Sequence, residues 1–144
     1  MTESRKLYTT KAINTGGRNG ESRLPDGSFS VRVSTPKKLG GLGQGSNPEQ
    51  LFALGYSACF NSALEAKMKE AKVEAKSEVT AEVVLNSDPS DNGFKLSVVL
   101  EVGIEGKTLE ETTELAEKAH AFCPYSKAVQ NNIDVEVKAV EYVG

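Results

Sequence analysis

Residue types that often mark special chemistry are scarce in this sequence. Its 144 residues include two cysteines, one histidine and no tryptophan. Neither cysteine belongs to a Cys-x-x-Cys pair, and one histidine cannot complete a set of zinc ligands. The sequence therefore predicts no metal site. Structural disulfides are not expected either, because a reducing cytosol keeps thiols free.

Long runs of apolar residues, or of charge of one sign, are also missing. The longest nearly uncharged apolar stretch, residues 51–64, is too short to span a bilayer. Residues 1–6 are polar rather than signal-like, so we expect a cytoplasmic location and no membrane partner. The 17 basic residues are scattered among 20 acidic ones, for a formal net charge of -3. This balance indicates no nucleic-acid partner.

The pattern that is present predicts one α+β domain over residues 1–144, with elements in the order β-β-α-β-β-α-β. Residues 6–14 and 28–34 are predicted strands. Two long strands form an antiparallel hairpin around the turn-rich residues 87–93, since six apolar residues alternate from position 94 to position 104. A last strand is expected over residues 135–142.

A glycine-rich stretch at residues 39–45, LGGLGQG, resembles a phosphate-binding loop only superficially. No Lys-Ser or Lys-Thr closes it, and its glycine spacing does not match G-x-G-x-x-G. We therefore expect a flexible surface loop and no nucleotide or other cofactor.

The first helix has a clear start. Asn47 suits the N-cap, Pro48 suits the first helical position, and Glu49 lies in the first turn, where the helix dipole favours an acid. Residues 51–64 are apolar or small on nearly every side. A helix of this kind is normally buried, so we expect it to be the central core helix.

The second helix begins with a capping box formed by Thr108 and Glu111. Its predicted core face comprises Leu109, Thr112, Ala116, Ala119 and Cys123. Pro124 ends the helix, because a residue that precedes proline is disfavoured in helical geometry. Cys123 is therefore expected at a break, before a further short helix over residues 125–131.

The two cysteines are either inert packing residues or a reactive pair. Cys59 lies about twelve residues into the first helix, too far from its start for the dipole to lower the thiol pKa much. Burial should raise that pKa, so a nucleophilic Cys59 would need a cation from elsewhere. Arg18, in the glycine-flanked segment 16–20, is the candidate, although a solvated arginine in a hairpin turn explains the same residues.

Glu49 could hold Arg18 through a bidentate bond. Glu49 and Cys59 are ten residues apart, which corresponds to about 15 Å along a continuous helix. Either Arg18 spans part of that gap, or Glu49 reaches the Cys59 of a second subunit. A nucleophilic pair of His120 with Cys123 is also conceivable, but His120 is equally well explained as a partly exposed helix residue, and we leave it outside the site.

Three segments together resemble the organic hydroperoxide resistance branch of the OsmC/Ohr superfamily. They are TGGRNG at 15–20, NPEQLF with GYSACF at 47–52 and 55–60, and CPYS with NIDV at 123–126 and 132–135. The segments stand in the family's order and spacing, and the resemblance covers essentially the whole chain.

The resemblance implies a thiol peroxidase. Cys59 would be the peroxidatic cysteine and Cys123 the resolving cysteine, with Arg18 stabilising the thiolate and Glu49 orienting Arg18. It also implies an intertwined homodimer with antiparallel sheets around long central helices and with active sites at the subunit interface. Alkyl and fatty-acid hydroperoxides would be the substrates, and a lipoylated protein or another dithiol would be the reductant.

Two other interpretations remain open. One is an OsmC-type peroxidase that uses a broader range of peroxides. The other is a non-catalytic dimer that binds a small ligand or partner, in which both cysteines only pack.

Overall fold

Residues 3–144 are described in the computed structural model of this chain, and they divide into two units. The first unit runs to Pro48, and the second covers Glu49–Gly144. The single domain predicted for residues 1–144 stays a prediction.

The first unit contains a small antiparallel sheet of three short strands. β1 (Ile13–Thr15) pairs with β2 (Gly20–Arg23), which pairs with β3 (Ser30–Val33). The strand predicted over residues 28–34 is confirmed as β3. The strand predicted over 6–14 is wrong except at its last two residues. Leu7 and Tyr8 of that segment are more than four-fifths exposed. Their side chains bury little apolar surface, so packing does not stabilise a strand there.

The sequence pattern did not reveal β2, whose residues are Gly-Glu-Ser-Arg. This strand has no alternation of apolar residues. It is stabilised by pairing with β1 on one side and β3 on the other, and not by burial of one face. The glycine-rich residues 39–45 form a loop, as predicted, after one short 3-10 turn at Lys37–Leu39.

The first helix, α1 (Pro48–Glu70), starts at the predicted proline, and its residues from Glu49 onward belong to the second unit. Its buried residues are Tyr56, Phe60, Ala63, Leu64 and Met68. Leu54 is 66% exposed and Ala58 is also exposed, so burial of the apolar half is confined to one side within this chain. The expectation of a helix buried on every side is therefore not met by a single copy of the chain.

The predicted hairpin is confirmed as β4 (Ser77–Asp88) and β5 (Gly93–Ile104), which pair antiparallel along their full length. Its apolar face is buried from Val98 to Ile104, but Phe94 lies beyond the core and is exposed. β6 (Val135–Ala139) then joins β5 in parallel, and it is shorter than the predicted strand. This sheet is consequently mixed rather than wholly antiparallel.

Two further helices precede β6. α2 (Leu109–Phe122) begins at the predicted capping box, in which Thr108 and Glu111 exchange side-chain and backbone hydrogen bonds. Four of its five predicted core positions are buried, whereas Leu109 is half exposed in the first turn. α3 (Pro124–Val129) begins and ends earlier than predicted.

The core of the second unit lies between the helices and one face of the mixed sheet. Tyr56, Phe60 and Leu64 of α1 are fully buried, as are Leu100 and Val102 of β5. Residues of α2 and both cysteines pack against the same cluster. No helix among residues 3–144 has the combination of length and apolar composition that crossing a membrane requires.

Candidate active site

The tertiary structure brings the two cysteines into contact. Cys59 lies in the middle of α1, and Cys123 lies at the joint between α2 and α3, 64 residues later. The Cys123 Sγ lies 3.6 Å from the Cys59 Sγ, and both thiols are free. The separation is at van der Waals contact, so a bond between the sulfurs needs an approach of only about 1.5 Å.

The joint at Cys123 exists because of the residue that follows it. Pro124 occupies the first position of α3, where its missing N–H costs nothing. The same proline disfavours helical geometry at Cys123, whose backbone is extended, with φ -64° and ψ 127°. Cys123 is fully buried at this break.

Burial dominates the electrostatics of Cys59. Its half-buried side chain packs against the apolar core, and this loss of solvation raises the pKa of the thiol above its ordinary value of 9.0. A hydrogen bond from the backbone N–H of Tyr125 lowers that pKa in part, while the adjacent Cys123 thiol raises it further. The net effect favours the neutral thiol over the thiolate, which is the nucleophilic form.

A chain of hydrogen bonds lies beside the cysteines. The Tyr56 hydroxyl lies 2.7 Å from the Ser126 Oγ, which also lies 2.8 Å from the Nδ1 of His120. Tyr56 and Ser126 are buried, and His120 is partly buried. Burial raises the pKa of Tyr56, a change that the Ser126 hydrogen bond opposes and the two cysteines reinforce. Burial also lowers the pKa of His120, which favours the neutral imidazole.

Three aromatic rings pack together where the segment after Cys123 meets α1. The Tyr125 ring stacks on Phe52 at a centroid distance of 6.0 Å and lies 5.6 Å from the Tyr56 ring. A Cβ atom at Gly55 would come within 2.7 Å of the Tyr125 hydroxyl. Glycine at this helical position therefore allows the ring, and with it the Tyr125 backbone, to approach α1 closely.

Arg18 belongs to the first unit, in the turn between β1 and β2. Gly16 and Gly17 precede it with φ of 86° and 61°, a geometry that favours glycine. The Asn14 side chain accepts a hydrogen bond from the Gly17 N–H at 2.9 Å and stabilises the turn. A contact between Arg18 and Cys59 stays a prediction.

Glu49 lies in the first turn of α1, as expected. Because α1 is continuous from Pro48 to Glu70, Glu49 and Cys59 of one chain are about 15 Å apart along the axis. The carboxylate cannot touch the thiol of its own helix. The two cysteines are therefore the predicted site residues that the second unit brings together.

His120 lies outside the predicted site, and Tyr56 and Ser126 entered the prediction only as members of the segments that resemble the family. Spacing gave a signal for Tyr56 and His120. Tyr56 lies three residues before Cys59 in α1, and His120 lies three residues before Cys123 at the end of α2. Side chains three apart on a helix share a face. Ser126 lies beyond the break at Cys123, in α3, so helical spacing did not indicate it. Across residues 3–144, no three histidine, cysteine or acidic side chains are grouped so that they could hold a metal ion.

Comparison with known proteins gives consistent similarities. The family described as OsmC-like protein matches residues 41–138. "Organic hydroperoxide resistance protein-like 2" of Staphylococcus epidermidis is 46% identical over 139 residues, covering 95% of this chain and 96% of the relative. "Organic hydroperoxide resistance protein OhrB" of Bacillus subtilis is 45% identical over 134 residues, covering 92% and 97%.

Solved structures agree with the sequence similarities. The crystal structure of Bacillus subtilis OhrB has a TM-score of 0.86 at 42% identity and covers 94% of this chain and 100% of the other. An organic hydroperoxide resistance protein from Legionella pneumophila has a TM-score of 0.89 at 42% identity, covering 96% and 100%.

Proposed function

Because this chain belongs to the organic hydroperoxide resistance branch of the OsmC-like family, we propose that it is a thiol peroxidase that reduces organic hydroperoxides to alcohols. The observation that carries the proposal is the 3.6 Å contact between the Cys59 and Cys123 sulfurs. Two cysteines 64 residues apart meet at a joint in the backbone, which is the arrangement a redox-active pair needs. The reaction would protect the cell against oxidative stress.

Oxidation of Cys59 is the first step. The Cys59 thiolate attacks the distal oxygen of the hydroperoxide, the O–O bond breaks, and the departing alkoxide takes a proton to become the alcohol. The sulfur is left as sulfenic acid. An apolar substrate such as an alkyl or fatty-acid hydroperoxide suits a site with aromatic and aliphatic neighbours better than hydrogen peroxide does.

Activation of Cys59 requires a cation, because burial raises its pKa and the Tyr125 N–H offsets only part of that change. Arg18 is the proposed source: guanidinium stays charged at any relevant pH and can stabilise both the thiolate and the leaving oxygen. Glu49 would orient Arg18 through a bidentate bond. Since Glu49 is about 15 Å along α1 from Cys59, it acts through Arg18 or on the Cys59 of a second subunit.

Resolution by Cys123 is the second step. The Cys123 thiol attacks the sulfenic sulfur of Cys59, the S–O bond breaks, and water leaves with the thiol proton, forming a disulfide. The sulfurs need to move together by about 1.5 Å, and the non-helical backbone at Cys123 allows that movement without unwinding a helix.

Recycling needs two electrons from a dithiol. The dithiol transfers two hydrogens to the disulfide, which regenerates both thiols and leaves the reductant as a disulfide. Dihydrolipoyl groups on a lipoylated protein are the proposed reductant. The cycle uses no metal and no organic cofactor of its own.

The working form is proposed to be an intertwined homodimer in the cytoplasm. The apolar half of α1 supports a dimer, because Leu54 and Ala58 are exposed in a single chain. A second copy of the chain would remove this surface from water. It would also allow Glu49 of one chain to reach the active site around the Cys59 of the other chain.

One intact-mass experiment tests the proposed reaction. The reduced protein is mixed with one equivalent of cumene hydroperoxide and is expected to lose the mass of two hydrogens as the disulfide forms. Cys123→Ser should stop at the sulfenic acid, trappable by a dimedone adduct, and Cys59→Ser should not react. Full turnover by Cys59→Ser with dihydrolipoamide would overturn the proposal.

A comparison of turnover rates with two peroxides, and the same mass measurement, separate the remaining interpretations. Equal rates with cumene hydroperoxide and hydrogen peroxide would favour an OsmC-type peroxidase of broader substrate range. An unchanged mass in the parent protein would favour a non-catalytic dimer whose cysteines only pack.

The role of Arg18 has a separate test in the pH dependence of Cys59 alkylation by iodoacetamide. Arg18→Gln should move the midpoint of that dependence to higher pH, and Glu49→Gln should move it less in the same direction. Arg23→Gln is the matched control, because Arg23 is an arginine of the same small sheet that pairs with Glu21 at 3.8 Å on the surface. An identical midpoint in Arg18→Gln and the parent would remove Arg18 from the mechanism.

A further inference from the structure

The hydrogen-bonded chain of Tyr56, Ser126 and His120 has no role in the steps described above. Two of its members flank Cys123: His120 lies three residues before it and Ser126 three residues after it. Their 2.8 Å bond therefore spans the joint between α2 and α3. The 2.7 Å bond from Ser126 to Tyr56 ties that joint to α1, one turn before Cys59.

The main chain alone connects the joint weakly. The Cys123 N–H donates back to Ala119 of α2, and the Cys123 carbonyl accepts from Lys127 of α3. Pro124 has no N–H to contribute, and the Tyr125 N–H is directed to the Cys59 sulfur. The side-chain bond between His120 and Ser126 supplies a connection across the break that the helical backbone lacks.

Burial makes these bonds costly to lose. Ser126 is 1% exposed and Tyr56 is fully buried, so water cannot replace a missing partner easily. Burial lowers the pKa of His120 and favours the neutral imidazole, whose Nδ1 can either donate to or accept from the Ser126 hydroxyl. The Ser126 hydroxyl can both donate and accept, so it can bond to His120 and Tyr56 at the same time.

We propose that Tyr56, Ser126 and His120 are positioning residues that hold the joint bearing Cys123 against the helix bearing Cys59, so that the disulfide closes efficiently. The inference rests on the proposed function in that it assumes the pair forms a disulfide. Holding two reacting atoms in contact raises their effective concentration. Loosening the chain should lower that concentration, and with it both the closure rate and the stability of the disulfide.

The first test uses no hydroperoxide. The protein is equilibrated with mixtures of oxidised and reduced dithiothreitol, and the disulfide fraction is read by alkylation and intact mass. Tyr56→Phe and Ser126→Ala should lower the equilibrium constant for disulfide formation about tenfold, equivalent to about 1.4 kcal/mol. Ser77→Ala is the matched control, since its hydroxyl also ties α1 to another element, through Asn61 at 2.7 Å. It should leave that constant unchanged.

A pair of histidine variants separates positioning from simple packing. The amide of asparagine lies near the position of Nδ1, whereas that of glutamine lies near Nε2. The equilibrium constant of His120→Asn should therefore stay close to the parental value. That of His120→Gln should fall about as far as that of Ser126→Ala. Thermal unfolding of each variant identifies any that fails to fold, and Tyr56→Phe, which removes a single oxygen, serves as the mildest change.

The second test follows the closure step after one equivalent of cumene hydroperoxide. Tyr56→Phe and Ser126→Ala should form the Cys59 sulfenic acid at the parental rate but close the disulfide about tenfold more slowly. Parental equilibrium constants in both variants would overturn the inference, as would equal losses in His120→Asn, His120→Gln and Ser77→Ala. If hydroperoxide does not oxidise Cys59 but the dithiothreitol constants shift as expected, the proposed function fails and the positioning role stands.

Discussion

Closing a bond between Cys59 and Cys123 would turn 64 residues of chain into a covalent ring. The ring would restrict the unfolded chain far more than the folded one, because the two sulfurs already lie 3.6 Å apart in the fold. We therefore expect the oxidised protein to be more stable than the reduced protein.

The size of that gain follows from the loop length. The chain-entropy relation for a loop of about 64 residues gives about 4 kcal/mol at room temperature. Unfolding of a chain of this length has an entropy of about 0.3 kcal/mol per kelvin, so the melting temperature should rise by about 13 °C. Bringing the sulfurs together by about 1.5 Å uses part of this gain.

The assay is thermal unfolding of the fully reduced and the fully oxidised protein, each checked by alkylation and intact mass. Cys123→Ser, treated with the same oxidant, is the control for effects of oxidation other than ring closure. An oxidised protein that melts at or below the temperature of the reduced one would contradict this expectation. It would mean that closure distorts the fold by as much as it restricts the unfolded chain.

Three further predictions concern stability. Thr108→Ala should cost about 1 kcal/mol in urea unfolding by removing the capping box of α2, and more than Thr113→Ala, whose hydroxyl only bonds back within the helix. Leu100→Ala should cost about 2–5 kcal/mol because the side chain is fully buried, whereas Phe94→Ala, at an exposed position, should cost much less in the same assay. Burial lowers the pKa of His120 below 6.5, so the unfolded chain binds a proton more readily and stability should fall as pH drops from about 6.5. Urea unfolding at pH 7 and at pH 5 should show that loss reduced in His120→Asn, and an equal loss in both proteins would contradict the assignment.

Local signals in the sequence predicted several elements accurately. The capping box at Thr108, the proline after Cys123 and the alternation along β5 each act over a few residues, and each produced the expected start, break or strand. The strand predicted over residues 6–14 failed because β propensity needs a surface to pack against, and Leu7 and Tyr8 have none within the chain. β2 shows the reverse case. Its residues have no strand pattern of their own, but pairing with β1 and β3 stabilises the strand.

The surroundings of the two cysteines could be read from the sequence. Their motifs, together with the glycine-rich segment at residues 15–20, were enough to identify the family. The position of Cys59 in the first helix also predicted that burial raises its pKa. Those features depend on residue type and on neighbours within one helical turn, so they can be read from the chain.

Tertiary packing brings Cys59 and Cys123 into contact and forms the hydrogen-bonded chain of Tyr56, Ser126 and His120 beside them. These contacts join residues as many as 70 positions apart. No local preference encodes such a distance, because it results from how α1, α2 and α3 pack over one sheet face. The joint at Cys123 was therefore readable in the sequence, whereas the contacts that hold it in place were determined by the packing of three helices.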